Sequence, residues 1–141
     1  LELVCSSPDL GCNTGSYVPS RSPSCFFPYG GREWSTQNFS ILVNLGSLEA
    51  LSWVEASFGS IPVGAVRACP FHQVFVGRNH YGLGKFFERE KALFVVVDGE
   101  EIWFKWYQLL VVTKTSPNVT ISNLSYNLSH RQEKMEEVLL G

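Results

Sequence analysis

The sequence predicts an all-β fold, and three observations carry that prediction. The run Ala92-Leu93-Phe94-Val95-Val96-Val97 is aromatic and β-branched, is followed by Asp98-Gly99, and resumes from Glu100 to Phe104. An Asp-Gly pair between two such runs marks a type I′ hairpin, whose two turn residues both need positive φ. The other apolar runs are short, and one of them, Val74-Phe75-Val76, ends at Gly77. No stretch before residue 129 keeps the apolar spacing of a helix, so antiparallel strands are expected.

In chain order, residues 1–31 are rich in Ser, Gly, Pro and Cys and read as turns with short extended pieces. Phe39–Val43 and Leu51–Ala56 read as strands, with a turn at Gly46 between them and a loop over Gly59–Gly64 after them. Val74–Val76 reads as a short strand ending at Gly77, and Tyr107–Val112 as another beyond the Asp-Gly hairpin. Residues 114–130 hold Ser, Thr, Asn and Pro and read as an exposed linker or edge strand. Ser129 to Gln132 fits a capping box, so a short terminal helix is expected after it.

The chain also repeats itself. A shift of 68 positions lays Phe26–Glu33 on Phe94–Glu101, with Gly31 on Gly99 and Glu33 on Glu101, and Phe39–Val43 on Tyr107–Val111. Both copies read apolar strand, Gly turn, acid, spacer, aromatic, apolar strand, as one supersecondary unit used twice would. The division expected is a first repeat over 1–48, a second over 49–113, and a linker or the start of a downstream module over 114–141. The second copy has an upstream half from Trp53 to Val66 that the first has no room for before Leu1. The first repeat is therefore expected to be truncated, with unpaired strand edges.

Composition narrows the function. The net charge is −2, charged residues make up 17% of 141, and there is no basic stripe, Walker loop or dinucleotide fingerprint, which sets nucleic acid and nucleotides aside. The longest apolar run, Ala92–Val97, is six residues, against about 20 for a membrane-spanning helix; a transmembrane β-hairpin stays open. Cys5, Cys12, Cys25 and Cys69 lack the close pairs that zinc prefers. Disulfides are expected, by any of the three pairings four cysteines allow. Asn38, Asn118, Asn123 and Asn127 each begin an N-glycosylation sequon. Cysteines and sequons together point to a secreted, extracellular protein.

An ordered set of motifs then points to a family. Trp53-Val54-x-Ala56, Gly59-x-Ile61-Pro62-x-Gly64-Ala65-Val66, Val74-Phe75-Val76-Gly77-Arg78, Tyr81-Gly82-Leu83-Gly84-Lys85 and Gly99-x-Glu101 resemble the tandem repeat of natterin-like proteins. Gly15–Arg21, Cys25, Phe27–Gly30 and Phe39–Asn44 resemble that repeat's first copy. The resemblance implies two antiparallel β-repeats intertwined about a pseudo-twofold axis. It also implies a lectin-like, mannose-binding role and an aerolysin-type pore-forming module downstream, in a toxin or defence protein. Kinin release by proteolysis is the alternative activity it carries, and a homo-oligomer is a further possibility.

The candidate carbohydrate site follows from the same resemblance. Lys85, in a Gly-rich stretch read as a loop, and Glu101, after the Asp-Gly turn, match positions that face ligand in lectin-like relatives. Glu33 is the acid of the first copy, where the 68-residue shift puts Tyr17 in place of Lys85. Trp53, Trp103 and Trp106 read as core or strand-packing residues, and Trp34 as partly exposed. No GxSxG elbow or HExxH helix occurs, and His72, His80 and His130 sit in no readable catalytic constellation. No catalytic residue, metal site or cofactor is expected.

Overall fold

A computed structural model of the chain describes residues 2–44, 49–113 and 124–128. They form twelve strands and no helix: β1 (Leu3–Ser7), β2 (Asn13–Tyr17), β3 (Cys25–Tyr29), β4 (Arg32–Thr36), β5 (Ser40–Asn44), β6 (Ala50–Ser57), β7 (Val74–Asn79), β8 (Gly82–Phe87), β9 (Ala92–Val97), β10 (Glu100–Phe104), β11 (Trp106–Thr113) and β12 (Leu124–Leu128). Every pairing is antiparallel. Residues 129–141, where a helix is expected, lie outside the described residues, as do Asn118 and Asn123.

The strand order is β12-β5-β1-β2-β3-β4-β10-β9-β8-β7-β11-β6. The two halves match outward from the centre, β4 with β10, β3 with β9, and so on to β12 with β6. The pseudo-twofold axis passes through the central pair, where Arg32 faces Glu100. Around it the Glu33 N–H donates to the Gly99 carbonyl at 2.9 Å and the Glu101 N–H to the Gly31 carbonyl at 3.0 Å. Each of these positions is its counterpart shifted by 68. The flanking turns match too, with φ of 60° and 88° at Gly30 and Gly31, and 51° and 81° at Asp98 and Gly99. Both are type I′ values, which follow the right-handed twist of the strands they join.

The sixth strand of the first half comes from far along the chain. Tyr126 of β12 faces Leu42 as Trp53 of β6 faces Leu110. The edge that a missing upstream half would leave bare is thus covered by residues 124–128, and the chain closes the first unit only after building the second. That crossing is what makes the halves intertwined.

Two elements differ from expectation. β7 continues through Gly77 to Asn79, because Gly77 is a packing position: a Cβ there would meet the side chains of Leu93 and Leu109. The stretch around Lys85 is strand β8, not a loop. Its Gly84 lets the backbone of β9 approach, since a Cβ at Gly84 would collide with the Phe94 carbonyl, and Gly15 of β2 stands in the same relation to the Phe26 carbonyl. Gly15→Ala or Gly84→Ala should each cost about 3 kcal/mol, because backbone must move to admit the methyl. Denaturant unfolding of the two variants checks this; a midpoint equal to the parent's would contradict the packing described.

Matching Gly15 to Gly84 also corrects the comparison of the copies. In these strands the offset is 69, so Tyr17 corresponds to Phe86 and Lys85 to Ser16. The packing agrees: Tyr17 sits on Phe39 at 5.4 Å and Phe86 on Tyr107 at 4.7 Å, each pair within the core cluster of its own half. The stretch from Ser16 to its partner Phe26 is one residue longer than that from Lys85 to its partner Phe94, so one constant shift cannot hold across the copy.

The four cysteines form Cys5–Cys25 and Cys12–Cys69. Cys5–Cys25 lies inside the first half, where the second half has Gly77 packed on Leu93. Cys12–Cys69 ties one half to the other. Trp103 and Trp106, expected to pack, are 59% and 68% exposed. Each stands on the outer face of its strand, Trp103 beneath the Lys105 ammonium at 5.7 Å and Trp106 edge-on to Phe58 at 4.6 Å. Trp53 is half-buried below the Arg78 guanidinium, and Trp34 is half-buried against the first-half core.

Candidate ligand-binding site at the seam

The seam brings Lys85 and Glu101 together from different strands. β8 carries Lys85 and β10 carries Glu101, with β9 between them, and Lys85 Nζ lies 3.8 Å from Glu101 Oε2. Two residues of the first half complete the cluster. Lys85 Nζ donates to Asn13 Oδ1 at 2.6 Å, and the Gly31 N–H donates to Glu101 Oε1 at 3.1 Å. The Asn13 amide is held in place because its Nδ2 donates to the Asp9 carbonyl. Tyr29 and Phe87 flank the ammonium, each ring centre 5.0 Å away.

This cluster is closed on one side and open on the other. Lys85 is 1% exposed, whereas the Glu101 side chain keeps 16%. Lys85 is therefore not the solvated loop lysine that its glycine neighbours suggest. Burial pulls its pKa down to about 8, with Glu101 acting in the opposite sense. The ammonium lies behind the carboxylate, fixing its charge and direction, and Glu101 with the Gly31 turn forms the edge that solvent reaches.

Glu33 occupies the symmetric place but meets different chemistry. Arg21 grips it with both guanidinium nitrogens, at 2.8 and 3.2 Å, and that guanidinium lies over the Phe26 ring at 3.6 Å. Ser16 stands where Lys85 would be. The structure thus joins Lys85 to Glu101 and leaves Glu33 in a separate, more exposed pair. Asn13, Tyr29 and Arg21 were not singled out from sequence: the first two come from the opposite half, 72 and 56 positions from Lys85. Cys12 was the available signal, since its bridge to Cys69 fixes the backbone beside Asn13.

Of the remaining candidates, Asn38 is exposed, with its Nδ2 donating to Asp9 Oδ1, and Asn127 lies in β12. His72 is exposed on the loop before β7, and His80 packs against Tyr81 with tilted rings at 4.1 Å in the β7–β8 turn.

A duplicated antiparallel sheet with a polar cluster built across its seam defines a tandem β-repeat domain. The chain belongs to the DM9 repeat family, which matches residues 9–82. Glu33 falls inside that match, while Lys85 and Glu101 lie beyond its last residue. Over most of its length the chain is also natterin-like. It is 39% identical to natterin-3 of Thalassophryne nattereri over 127 residues, 90% of this chain and 34% of the relative. Natterin-4 and natterin-1 of the same fish are each 36% identical, over 84% and 89% of this chain. The chain spans about a third of the length of these relatives.

Proposed function

We propose that the chain is a secreted carbohydrate-binding module of a natterin-like toxin or defence protein. In this reading it recognises mannose-type glycans at the seam and serves as the targeting part of a longer, pore-forming protein. The observation that carries the site is the oriented Glu101 carboxylate. It is held by Lys85 and the Gly31 amide, with an edge open to solvent. A fixed carboxylate accepts hydrogen bonds from vicinal hydroxyls, the recognition that sugars require. Lys85 acts as a positioning residue in this scheme, and Glu33, already gripped by Arg21, contributes less. The two disulfides suit an oxidising compartment.

Calorimetry with methyl α-mannoside tests the assignment. Glu101→Gln should weaken binding about 10- to 100-fold, the loss of one charge-assisted hydrogen bond, and Glu33→Gln should change it less than about threefold. A folded wild-type domain that binds no mannoside, or a Glu101→Gln variant that binds as well as the parent, would refute the site.

A further inference from the structure

A groove of about 870 Å³ opens over β6, β11 and β7, away from the seam cluster. Its floor is a cross-strand row: Glu55 faces Gln108, and Gln108 faces Arg78. Arg78 Nε donates to Gln108 Oε1 at 2.8 Å, and the guanidinium lies 4.3 Å from the Trp53 ring centre. A carboxylate, an amide and a guanidinium thus stand side by side, three planar groups offering alternating acceptors and donors.

Aromatic rings form the rim. Trp106 is 68% exposed and is held edge-on by Phe58 at 4.6 Å. Phe58 itself keeps a φ of 51°, a conformation costly for a bulky side chain and one that persists where the surroundings impose it. Tyr81 is 52% exposed and stacks on Phe104 at 5.5 Å. Asn79 also lines the groove, and its Oδ1 accepts from the Tyr81 N–H at 2.9 Å, holding that turn.

The scaffold does not demand these side chains. Gln108 faces Arg78 as Ser40 faces Ser6, so Arg78, Gln108 and Trp106 correspond to Ser6, Ser40 and Asn38 in the first half. The same sheet positions there are filled by small polar groups, and Ser6 is buried with its hydroxyl donated to the Ala68 carbonyl. The planar row and its aromatic rim belong to the second half alone.

We infer that this groove is a second saccharide-binding site, in which a sugar ring lies against Trp106 and its hydroxyls meet Glu55, Gln108 and Arg78. The apolar face of a pyranose suits an exposed indole held at its edge, and vicinal hydroxyls suit adjacent planar donors and acceptors. The inference rests on the reading of the domain as a sugar binder for its ligand class, but its residues are separate from the seam.

The test is an NMR titration of the whole chain with methyl glycosides of mannose, galactose, glucose and N-acetylglucosamine, reading the Trp106 indole N–H and the Gly31 amide. At least one glycoside should shift the Trp106 signal. Trp106→Ala and Gln108→Ala should each weaken the groove event at least tenfold, read at the Arg78 and Tyr81 amides, while Glu101→Gln leaves it unchanged. Both replaced side chains lie on the solvent side of β11, and the unperturbed amides of the seam report that each variant is folded. Seam shifts with no response at Trp106 would overturn the groove site and leave the seam assignment standing. Groove shifts that survive Trp106→Ala and Gln108→Ala unweakened would overturn it as well. Silence at both places would remove both.

Discussion

Lys85→Ala should lower the unfolding free energy by about 3–5 kcal/mol, measured by urea denaturation at neutral pH. The substitution strips Asn13 Oδ1 of its donor and leaves the Glu101 carboxylate without its cation. It also opens a cavity between Tyr29 and Phe87. The loss comes from orphaned partners rather than from the worth of the ion pair itself. Lys85→Met combined with Asn13→Leu should therefore recover much of the stability, because an apolar pair of similar volume needs no partner. A small loss in Lys85→Ala would mean that the ammonium is solvated.

The same residue sets a pH dependence. Its folded pKa, about 8, is below the ordinary 10.5 of an exposed lysine. Between those values the unfolded chain binds more protons than the folded one, so stability should rise with pH across that window. The full gain is about 3 kcal/mol, and it should be absent in Lys85→Met. Stability that falls from pH 8 to 10 in the parent and the variant alike would contradict the burial of Lys85.

The second large effect concerns the bridge between the halves. Cys12–Cys69 closes a loop with a sequence separation of 57 and Cys5–Cys25 one of 20. On loop-closure entropy the first contributes about 4 kcal/mol and the second about 3. Replacing Cys12 and Cys69 by Ser should cost more than that difference implies, because Asn13, next to Cys12, supplies the acceptor for Lys85. Replacing Cys5 and Cys25 should disturb the first half alone. Thermal unfolding combined with amide exchange at Lys85 and Glu101 separates the cases. If both double variants lower the midpoint equally and leave those amides equally protected, the inter-half bridge has no special role.

How much of this was legible in sequence depended on distance along the chain. The Asp98-Gly99 hairpin was readable because both turn residues declare their φ, and the 68-residue shift carried that reading to Gly30-Gly31. The acids at Glu33 and Glu101 followed, since the central hydrogen bonds relate positions at that same offset. The register of β2 against β8 was not readable. It depends on where Gly15 and Gly84 admit a neighbouring backbone, and the unequal loops after them hide the one-residue slip. For that reason Tyr17 was matched to Lys85 when Ser16 holds the place. The burial of Lys85 was hidden for a related cause. Gly82 and Gly84 just before it suggest an exposed loop, whereas here Gly84 admits the backbone of β9 while Asn13 and Tyr29 of the other half cover the ammonium. Trp103 and Trp106 misled because aromatic residues in strands usually face the core, and nothing local shows which face of β10 and β11 is wet.

Backbone-amide mapping of methyl α-mannoside bound to the intact chain addresses the functional claim most directly. The largest shifts are expected at Gly31 and Glu101, on the open edge of the seam, with none of comparable size at Glu33, and Glu101→Gln should abolish them. Shifts confined to the Arg21–Glu33 side, or unchanged by Glu101→Gln, would show that the oriented carboxylate is not what holds the sugar.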